Sequence, residues 1–181
     1  PLIEAQNAAA LLEIVQAQVA AGADYLDLNC GAFVKDEAER LAWLVGTVAA
    51  AVDQPLCLDS PNARALAAAL PLARGPVMIN SISAETVRYR AILPLAVEYK
   101  SKLVALCMDD EAIPTTAEAR YEIGARLVED LQAAGVALDD IYLDPMVQPI
   151  AVSARGALVI FDTVRLLREN YPGVHCVCGL S

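Results

Sequence analysis

The stretch that decides the fold of this chain is Leu56-Cys57-Leu58-Asp59-Ser60-Pro61-Asn62. Three apolar residues typical of a short buried strand lead to one carboxylate, Ser-Pro interrupts the strand, and an alanine-rich helix begins at Asn62. A carboxylate at the end of a buried strand is costly unless a ligand or a hydrogen-bond donor satisfies it. Asp59 is therefore a candidate binding residue.

Four other short apolar runs end in the same way, at Asp27 and Asn29, at Asn80 and Ser81, at Asp109, and at Asp144. A single strand-end aspartate has a bland alternative, because such a side chain often caps a loop or a helix. Polar residues at the same end of five predicted strands favour one shared site. We keep both interpretations open for each residue taken singly.

Composition narrows the class of protein. The 181 residues suit one domain, and 57% hydrophobic with 20% charged residues is typical of a packed core. The net charge of -10 argues against a nucleic-acid partner, because binding nucleic acid depends on neutralising phosphates. There is no apolar run near the roughly 20 residues of a membrane span and no secretion signal, so we expect a cytoplasmic protein without a membrane partner.

The cysteines and the single histidine argue against a metal centre. Among the five cysteines, Cys30, Cys57 and Cys107 lie within or just after apolar runs, which predicts buried, reduced thiols. The Cys176-x-Cys178 pair leaves a metal site open, but its spacing differs from the usual C-x-x-C. His175 is the only histidine, which argues against a metal centre with several histidine ligands and against a Ser-His-Asp triad. We predict no metal.

Helices and short apolar strands alternate along the chain, which predicts a parallel sheet covered by helices. A G-x-G-x-x-G loop, typical of an open nucleotide-binding sheet, is absent, and the polar strand ends favour a barrel. Ser83 is expected to cap the fourth helix, and Thr115 or Thr116 the fifth. The predicted strands cover 24–28, 56–58, 77–81, 103–107, 141–143 and 174–177, and the predicted helices include 1–21, 36–52, 62–72 and 157–169.

The fold class predicted is α/β, a (β/α)8 TIM barrel. Only six strands are found where such a barrel has eight. We therefore expect residues 1–181 to form one barrel domain that is incomplete at both ends, a fragment lacking the first strand and the last strand and helix.

The chain resembles the pterin-binding domains of methyltetrahydrofolate:corrinoid methyltransferases. The similar stretches follow one another in order over essentially the whole chain. They are Gly22-Ala23-Asp24-Tyr25-Leu26-Asp27-Leu28-Asn29, Leu56-Cys57-Leu58-Asp59-Ser60, Ile79-Asn80-Ser81-Ile82-Ser83, Ala105-Leu106-Cys107-Met108-Asp109-Asp110, Ile113-Pro114, Ile141-Tyr142-Leu143-Asp144-Pro145 and Cys178-Gly179-Leu180-Ser181. The family includes the folate domain of cobalamin-dependent methionine synthase, and dihydropteroate synthase is a more distant relative.

The resemblance implies an enzyme of one-carbon metabolism that moves the N5 methyl group of methyltetrahydrofolate to the Co(I) corrinoid of a partner protein. It also implies a homodimer. Asp59, Asn80 and Asp144 match the family's pterin ligands, and a carboxylate suits the paired N–H donors of a pterin ring. Asp27, Asn29 and Ser81 match further family positions, although Asp27 and Asn29 could equally brace the site.

The resemblance also implies that an asparagine directly after Gly179-Leu180-Ser181 acts on N5. The sequence ends at Ser181, so no catalytic residue is assigned here. Two alternatives stay open at this point: a dihydropteroate synthase-like enzyme, for which no basic group is seen at the strand ends, and a non-catalytic pterin-binding module. We expect Asp144→Ala to abolish pterin binding with little loss of folding.

Overall fold

A computed structural model describes residues 1–148 and 156–179. Within these ranges, six α-helices alternate with six strands. The helices of these ranges all fall short of the length and apolar character that a membrane span requires. The elements are α1 Ala8–Ala20, β1 Leu26–Asn29, α2 Glu37–Ala49, β2 Leu56–Asp59, α3 Ala63–Ala69, β3 Val77–Ser83, α4 Thr86–Tyr99, β4 Lys102–Leu106, α5 Ala117–Ala133, β5 Ile141–Asp144, α6 Gly156–Asn170 and β6 His175–Cys176.

Two helices begin later than the sequence predicts. The first was expected from residue 1 but begins at Ala8, because Gln6 has a φ of 47° and the Asn7 side chain accepts a hydrogen bond from the Ala10 amide at 3.2 Å. Ser83 does not cap α4 as expected. It is the last residue of β3, and the Asp110 carboxylate instead accepts from the Thr86 amide at 3.1 Å.

The chain divides into two compact units, with the boundary after Asn80. In the first unit, residues 1–80, β1, β2 and β3 pair in parallel. The α2 and α3 helices pack on each other beside these strands, and the core is formed by aliphatic side chains that are almost completely buried. These side chains include Leu26, Leu41, Val45, Leu56, Leu58 and Leu66.

The second unit, residues 81–181, is also built from parallel strands and packed helices. In this unit β4, β5 and β6 pair in parallel, and α5 packs against α6. Along β5, Ile141 and Leu143 are buried while Tyr142 and Asp144 are partly exposed. This alternation follows from the two-residue period of a strand. It places the strand-end carboxylate on the face opposite the buried leucine.

Two glycines inside helices, Gly46 in α2 and Gly124 in α5, provide a matched test of the packing. A Cβ on Gly46 would lie 3.7 Å from the Leu72 side chain, an ordinary contact. A Cβ on Gly124 would lie 3.0 Å from the Leu167 side chain and 3.2 Å from the Cys107 sulfur, both in the buried core. Of these two sites, only the second would require buried neighbours to move by a few tenths of an ångström to admit a methyl group.

We therefore expect Gly46→Ala to raise the free energy of unfolding by about 0.5–1 kcal/mol, because alanine is the better helix former. Gly124→Ala should lower it by about 1 kcal/mol, because overpacking outweighs the same helical gain. Urea unfolding of both variants measures the two changes in the free energy of unfolding, which should have opposite signs. A stabilised Gly124→Ala would contradict the close packing of α5 on α6.

Candidate functional site

One row of polar side chains lies at the end of the three strands of the first unit. Asn29 on β1 is the register partner of Asp59 on β2, which is the register partner of Asn80 on β3. Register partners on neighbouring parallel strands project from the same face of a sheet. These three predicted pterin-binding residues therefore stand side by side on one face, with Asn29 exposed and the other two partly exposed.

The amide of Asn29 is held at both ends. Its Nδ2 donates to Oδ2 of Asp59 at 2.7 Å, and its Oδ1 accepts from the Gly31 amide at 2.8 Å. Asn29 therefore fixes the rotation of the Asp59 carboxylate. A carboxylate has about four acceptor positions, so Oδ1 and the second lone pair of Oδ2 stay available to a ligand.

Burial raises the pKa of Asp59 above its ordinary value, and the negative charges of Asp27 and Glu37 act in the same direction. The Asn29 hydrogen bond opposes this rise in pKa. A desolvated carboxylate that keeps acceptor positions free gains from a ligand that brings two N–H donors. Such a ligand would bind the ionised form.

Asp27 occupies the next row, where its register partner is Cys57 and the partner of Cys57 is Met78. Asp27 is exposed, whereas Cys57 and Met78 are buried. Burial, followed by the negative charge of Asp27, raises the pKa of the Cys57 thiol. Cys57 is therefore a protonated thiol and a poor nucleophile near neutral pH.

The loop that follows Asp59 is tied to Glu37, which lies in the first turn of α2 and is only 7% exposed. One oxygen of this carboxylate accepts from the Ser60 hydroxyl, and the other accepts from Nδ2 of Asn62 at 2.9 Å. Asn62 in turn caps α3, as the sequence predicts, by accepting from the Arg64 amide at 3.1 Å. Glu37 thus fixes the chain on the far side of Asp59.

We expect Glu37→Ala to lower the free energy of unfolding by about 1–3 kcal/mol, because it leaves the buried Ser60 hydroxyl and the Asn62 amide without their acceptor. Glu39, in the same turn of α2 but exposed, is the matched control. Glu39→Ala should change stability by less than about 0.5 kcal/mol. Equal effects of the two variants in chemical unfolding would contradict the bracing role of Glu37.

In the second unit, Asp144 ends β5 with its carboxylate partly satisfied by backbone. Its Oδ1 accepts from the Met146 amide at 2.7 Å, and the carboxylate also accepts from the Gly179 amide. Burial raises its pKa, while these two amides and the charge of Arg120 oppose the rise. Two of about four acceptor positions are used, which leaves room for the N–H donors of a ligand.

Arg120 braces the loops around Asp144. It is 2% exposed, its Nε donates to the Pro114 carbonyl at 2.7 Å, and its Nη1 donates to the carbonyls of Pro145 and Met146. Desolvation lowers the pKa of this guanidinium. The side chain therefore joins the loop after β4 to the loop after β5.

Neither Glu37 nor Arg120 was predicted from the sequence as a functional residue, although the same sequence pattern marks both. Each lies on the buried stripe of its helix. Glu37 precedes Leu41, Leu44 and Val48 at helical spacing, and Arg120 stands between Ala117 and Gly124, Leu127 and Leu131. A charged residue on an otherwise apolar stripe must find hydrogen-bonding partners.

Three other polar residues near the strand ends lie in the second unit. Asp109 forms an ion pair with Arg126 at 3.2 Å, and Asp110 caps α4 through the amide and hydroxyl of Thr86. They border a 480 Å³ cavity beside α4 and α5 rather than the Asp144 turn. Ser81 is 8% exposed, and alternation along β3 puts it on the face opposite Asn80.

The sulfur atoms and the histidine form no metal centre within residues 1–148 and 156–179, where no group of three or more His, Cys, Asp or Glu side chains is placed to hold an ion. Cys176 and Cys178 are free thiols, as are the other cysteines. His175 stacks on the Tyr142 ring at 4.5 Å and lies 3.0 Å from Oδ1 of Asp139. Its contacts are structural.

Comparison with known proteins places this arrangement in a family. The model of the family described as "pterin binding enzyme" matches residues 2–181. The chain belongs to the pterin-binding enzyme family. The resemblance seen in the strand-end motifs is thereby confirmed.

Curated members of the pterin-binding family that resemble the chain include methyltransferases. The chain is 33% identical over 181 residues to a methylcorrinoid:tetrahydrofolate methyltransferase of Eubacterium limosum, covering 99% of the chain and 67% of that protein. It is 29% identical over 180 residues to the methionine synthase of Mycobacterium tuberculosis, covering 94% of the chain and 15% of that protein. The chain thus spans about two thirds of the first relative and a small part of the second.

Solved structures of dihydropteroate synthases share the fold. A Xanthomonas albilineans dihydropteroate synthase with 4-aminobenzoic acid superposes with a TM-score of 0.76 at 18% identity, over 100% of this chain and 68% of that one. The enzyme from Vibrio fischeri gives a TM-score of 0.69 at 16% identity, over 96% and 67%. The likeness confirms the predicted α/β barrel fold class and, at this identity, carries no more than the fold.

Proposed function

We propose that this protein is a methyltransferase that moves a methyl group between N5 of tetrahydrofolate and the corrinoid of a partner protein. Membership of the pterin-binding family and the 33% identity to a methylcorrinoid:tetrahydrofolate methyltransferase support the proposal. The observation that carries it is the row of Asn29, Asp59 and Asn80, in which Asn29 orients a desolvated carboxylate.

A pterin ring presents a 2-amino group and a ring N–H next to each other. The Asp59 carboxylate, braced on one oxygen by Asn29, suits that donor pair, and the Asn80 amide can serve a neighbouring donor and acceptor. In this proposal Asn29 acts mainly by orienting Asp59, and Asp27 contributes negative charge to the same face. We leave Ser81 out of the ligand set, because it is buried on the opposite face of β3.

Asp144 is proposed as a further pterin ligand. The family resemblance and the environment of the Asp144 carboxylate support this role. The carboxylate is desolvated, accepts a hydrogen bond from the Met146 amide at 2.7 Å, and has further acceptor positions for a ligand. Its contribution is tested separately from that of Asp59.

The geometry does not select the direction of transfer. The resemblance implies methyl transfer from methyltetrahydrofolate to Co(I), whereas the name of the Eubacterium limosum relative states the reverse. A catalyst lowers the same barrier for both directions, so the residues that hold the pterin serve either one. The corrinoid supplies the cobalt that exchanges the methyl group, and the chain's own residues hold the pterin so that N5 is presented.

Activation of N5 is not assigned to a residue. A neutral tertiary amine is a poor leaving group, so a hydrogen bond or a proton at N5 must strengthen toward the transition state. The asparagine implied by the resemblance would follow Ser181, and Leu180 and Ser181 lie outside the described residues. We further propose that residues 1–181 act as one pterin-binding barrel domain in a cytoplasmic homodimer that meets a corrinoid protein.

The test is a pair of measurements on the wild-type protein. Calorimetric titration with methyltetrahydrofolate measures binding, and the loss of cob(I)alamin absorbance after mixing with methyltetrahydrofolate measures transfer. The reverse reaction uses methylcobalamin and tetrahydrofolate. Asp53→Asn, at an exposed position three residues before β2, is the control and should keep both activities.

Each outcome selects one function. Binding together with transfer supports the methyltransferase. Binding without transfer in either direction would favour a pterin-binding module, and a requirement for a pterin pyrophosphate would favour a dihydropteroate synthase-like enzyme. A folded protein that binds no pterin would remove all three.

A further inference from the structure

The Arg120 guanidinium is a buried cation whose hydrogen bonds go to backbone. Within the described part of the chain, no carboxylate forms an ion pair with it; its donors meet the carbonyls of Pro114, Pro145 and Met146. A charged side chain buried on the apolar stripe of α5 carries a large desolvation cost. That cost is offset only by several well-placed acceptors. The carbonyls of the two loops therefore stabilise the buried guanidinium, and the guanidinium in turn holds the two loops in place.

The turn that Arg120 holds is strained. Met146 has a φ of 64°, a left-handed conformation that a non-glycine residue seldom adopts. In this conformation the Met146 amide points back to Oδ1 of Asp144 at 2.7 Å. Because Arg120 binds the carbonyls on both sides of this amide, it holds the turn in the geometry that orients the carboxylate.

We propose that Arg120 is a positioning residue for the pterin site: by tying the Pro145–Met146 turn to the segment at Pro114, it fixes the direction in which the Asp144 carboxylate meets the ligand. This inference rests on the proposed function, in which Asp144 binds the pterin. Arg120 acts through the backbone of the turn, and nothing in the role requires it to touch the ligand.

Arginine suits this role for a geometric reason. Its planar guanidinium offers five N–H donors in a rigid fork, so one side chain can serve carbonyls of two loops at once, whereas a lysine ammonium is a single point of contact. Its charge also opposes the rise in the pKa of Asp144. Among residues 1–148 and 156–179, the Cys107 and Cys178 thiols, which lie after β4 and β6, also interact electrostatically with Asp144.

The test compares Arg120→Gln with Arg165→Gln. Arg165 lies on α6, is 61% exposed in its side chain, and pairs only with Asp162 three residues away among the described residues. Calorimetry gives the dissociation constant of methyltetrahydrofolate from pH 5 to pH 8, and circular dichroism confirms folding and measures the melting temperature. We expect Arg120→Gln to bind roughly tenfold more weakly or worse, and Arg165→Gln to bind like the wild type.

The pH profile separates positioning from mere stability. Without Arg120 and a held Met146 amide, the pKa of Asp144 should rise, so the loss of affinity at acid pH should begin at a higher pH in Arg120→Gln. A lower melting temperature with unchanged affinity and an unchanged profile would overturn the role. If Arg120→Gln does not fold, Arg120→Lys replaces it, because the three donors of an ammonium lie on one nitrogen and do not reproduce the separate contacts that Nε and Nη1 make. Wild-type affinity in folded Arg120→Lys would likewise overturn the role.

Wild-type binding separates this inference from the proposed function. A folded wild type that binds no pterin would overturn the proposed function and this role together. A wild type that binds pterin beside an unaffected Arg120→Gln would overturn only the role of Arg120.

Discussion

Replacing Asp59 by asparagine should weaken the binding of methyltetrahydrofolate roughly 100-fold or more. The carboxylate is proposed to accept two N–H bonds, and hydrogen bonds to a charged group contribute about 1.5–3 kcal/mol each. Asn29 makes the substitution more severe. Its Nδ2 donates to position 59 at 2.7 Å and would select the oxygen of the new amide, so the –NH2 group would face the donors of the pterin.

The same variant should fold as well as the wild type. Because burial raises the pKa of Asp59 in the folded protein, ionisation of this group disfavours folding at any pH above that pKa. This cost fades as the pH falls through the folded pKa and disappears below the ordinary aspartate value. At pH 7 the melting temperature of Asp59→Asn should therefore equal or exceed that of the wild type.

Calorimetric titration and thermal unfolding test the two effects together, with Asp53→Asn as the control for a lost surface charge. Undiminished binding by folded Asp59→Asn would remove Asp59 from the site. In the wild type, affinity should fall as the pH decreases through the raised pKa, because a protonated carboxyl offers one fewer acceptor and adds a donor.

Replacing Asp144 by alanine should also lower pterin affinity roughly 100-fold, with a loss of stability that the sequence alone did not predict. The carboxylate accepts from the amides of Met146 and Gly179, so alanine leaves two backbone donors without their acceptor. Unsatisfied donors cost about 1–3 kcal/mol. We therefore revise the expectation that Asp144→Ala folds with little loss.

Asp144→Asn separates binding from folding. Its amide oxygen can still accept from the Met146 amide, so the turn should hold and stability should change by less than about 1 kcal/mol. The charge is lost, so affinity should fall nearly as far as in the alanine variant. Calorimetric titration of both variants with methyltetrahydrofolate measures the two affinities, and Asp162→Asn, a change on the exposed surface of α6, is the control. Wild-type affinity in Asp144→Asn would contradict the role of Asp144 as a pterin ligand.

The two braces explain why the proposed ligands can be desolvated and still well oriented. Glu37 fixes the loop after β2 through Ser60 and Asn62, and Arg120 fixes the loop after β5 through backbone carbonyls. Each reaches its loop from the first or second turn of a helix. Buried polar groups that are fully paired make a local structure unique, so each loop presents its aspartate in one direction.

The sequence by itself determined the alternation of helices and strands and the placement of polar residues at the strand ends. Both are local properties. A two-residue period in Leu26-Asp27-Leu28-Asn29 already separates a buried face from an exposed one. A strand-end aspartate after Leu56-Cys57-Leu58 is visible without any partner. The alternation and the polar strand ends carried the fold class, and the family motifs, which are equally local, carried the family.

Only the tertiary structure decided which of those polar residues share a row and which serve other purposes. Register depends on the pairing of segments that are distant in the chain, so the alignment of Asn29, Asp59 and Asn80 cannot be read from any one strand. Ser81 is neighbour to Asn80 in sequence but faces the other way. Glu37 and Arg120 show the same limit, because a charged residue on a buried stripe acquires its role only from the acceptors and donors that other elements bring to it.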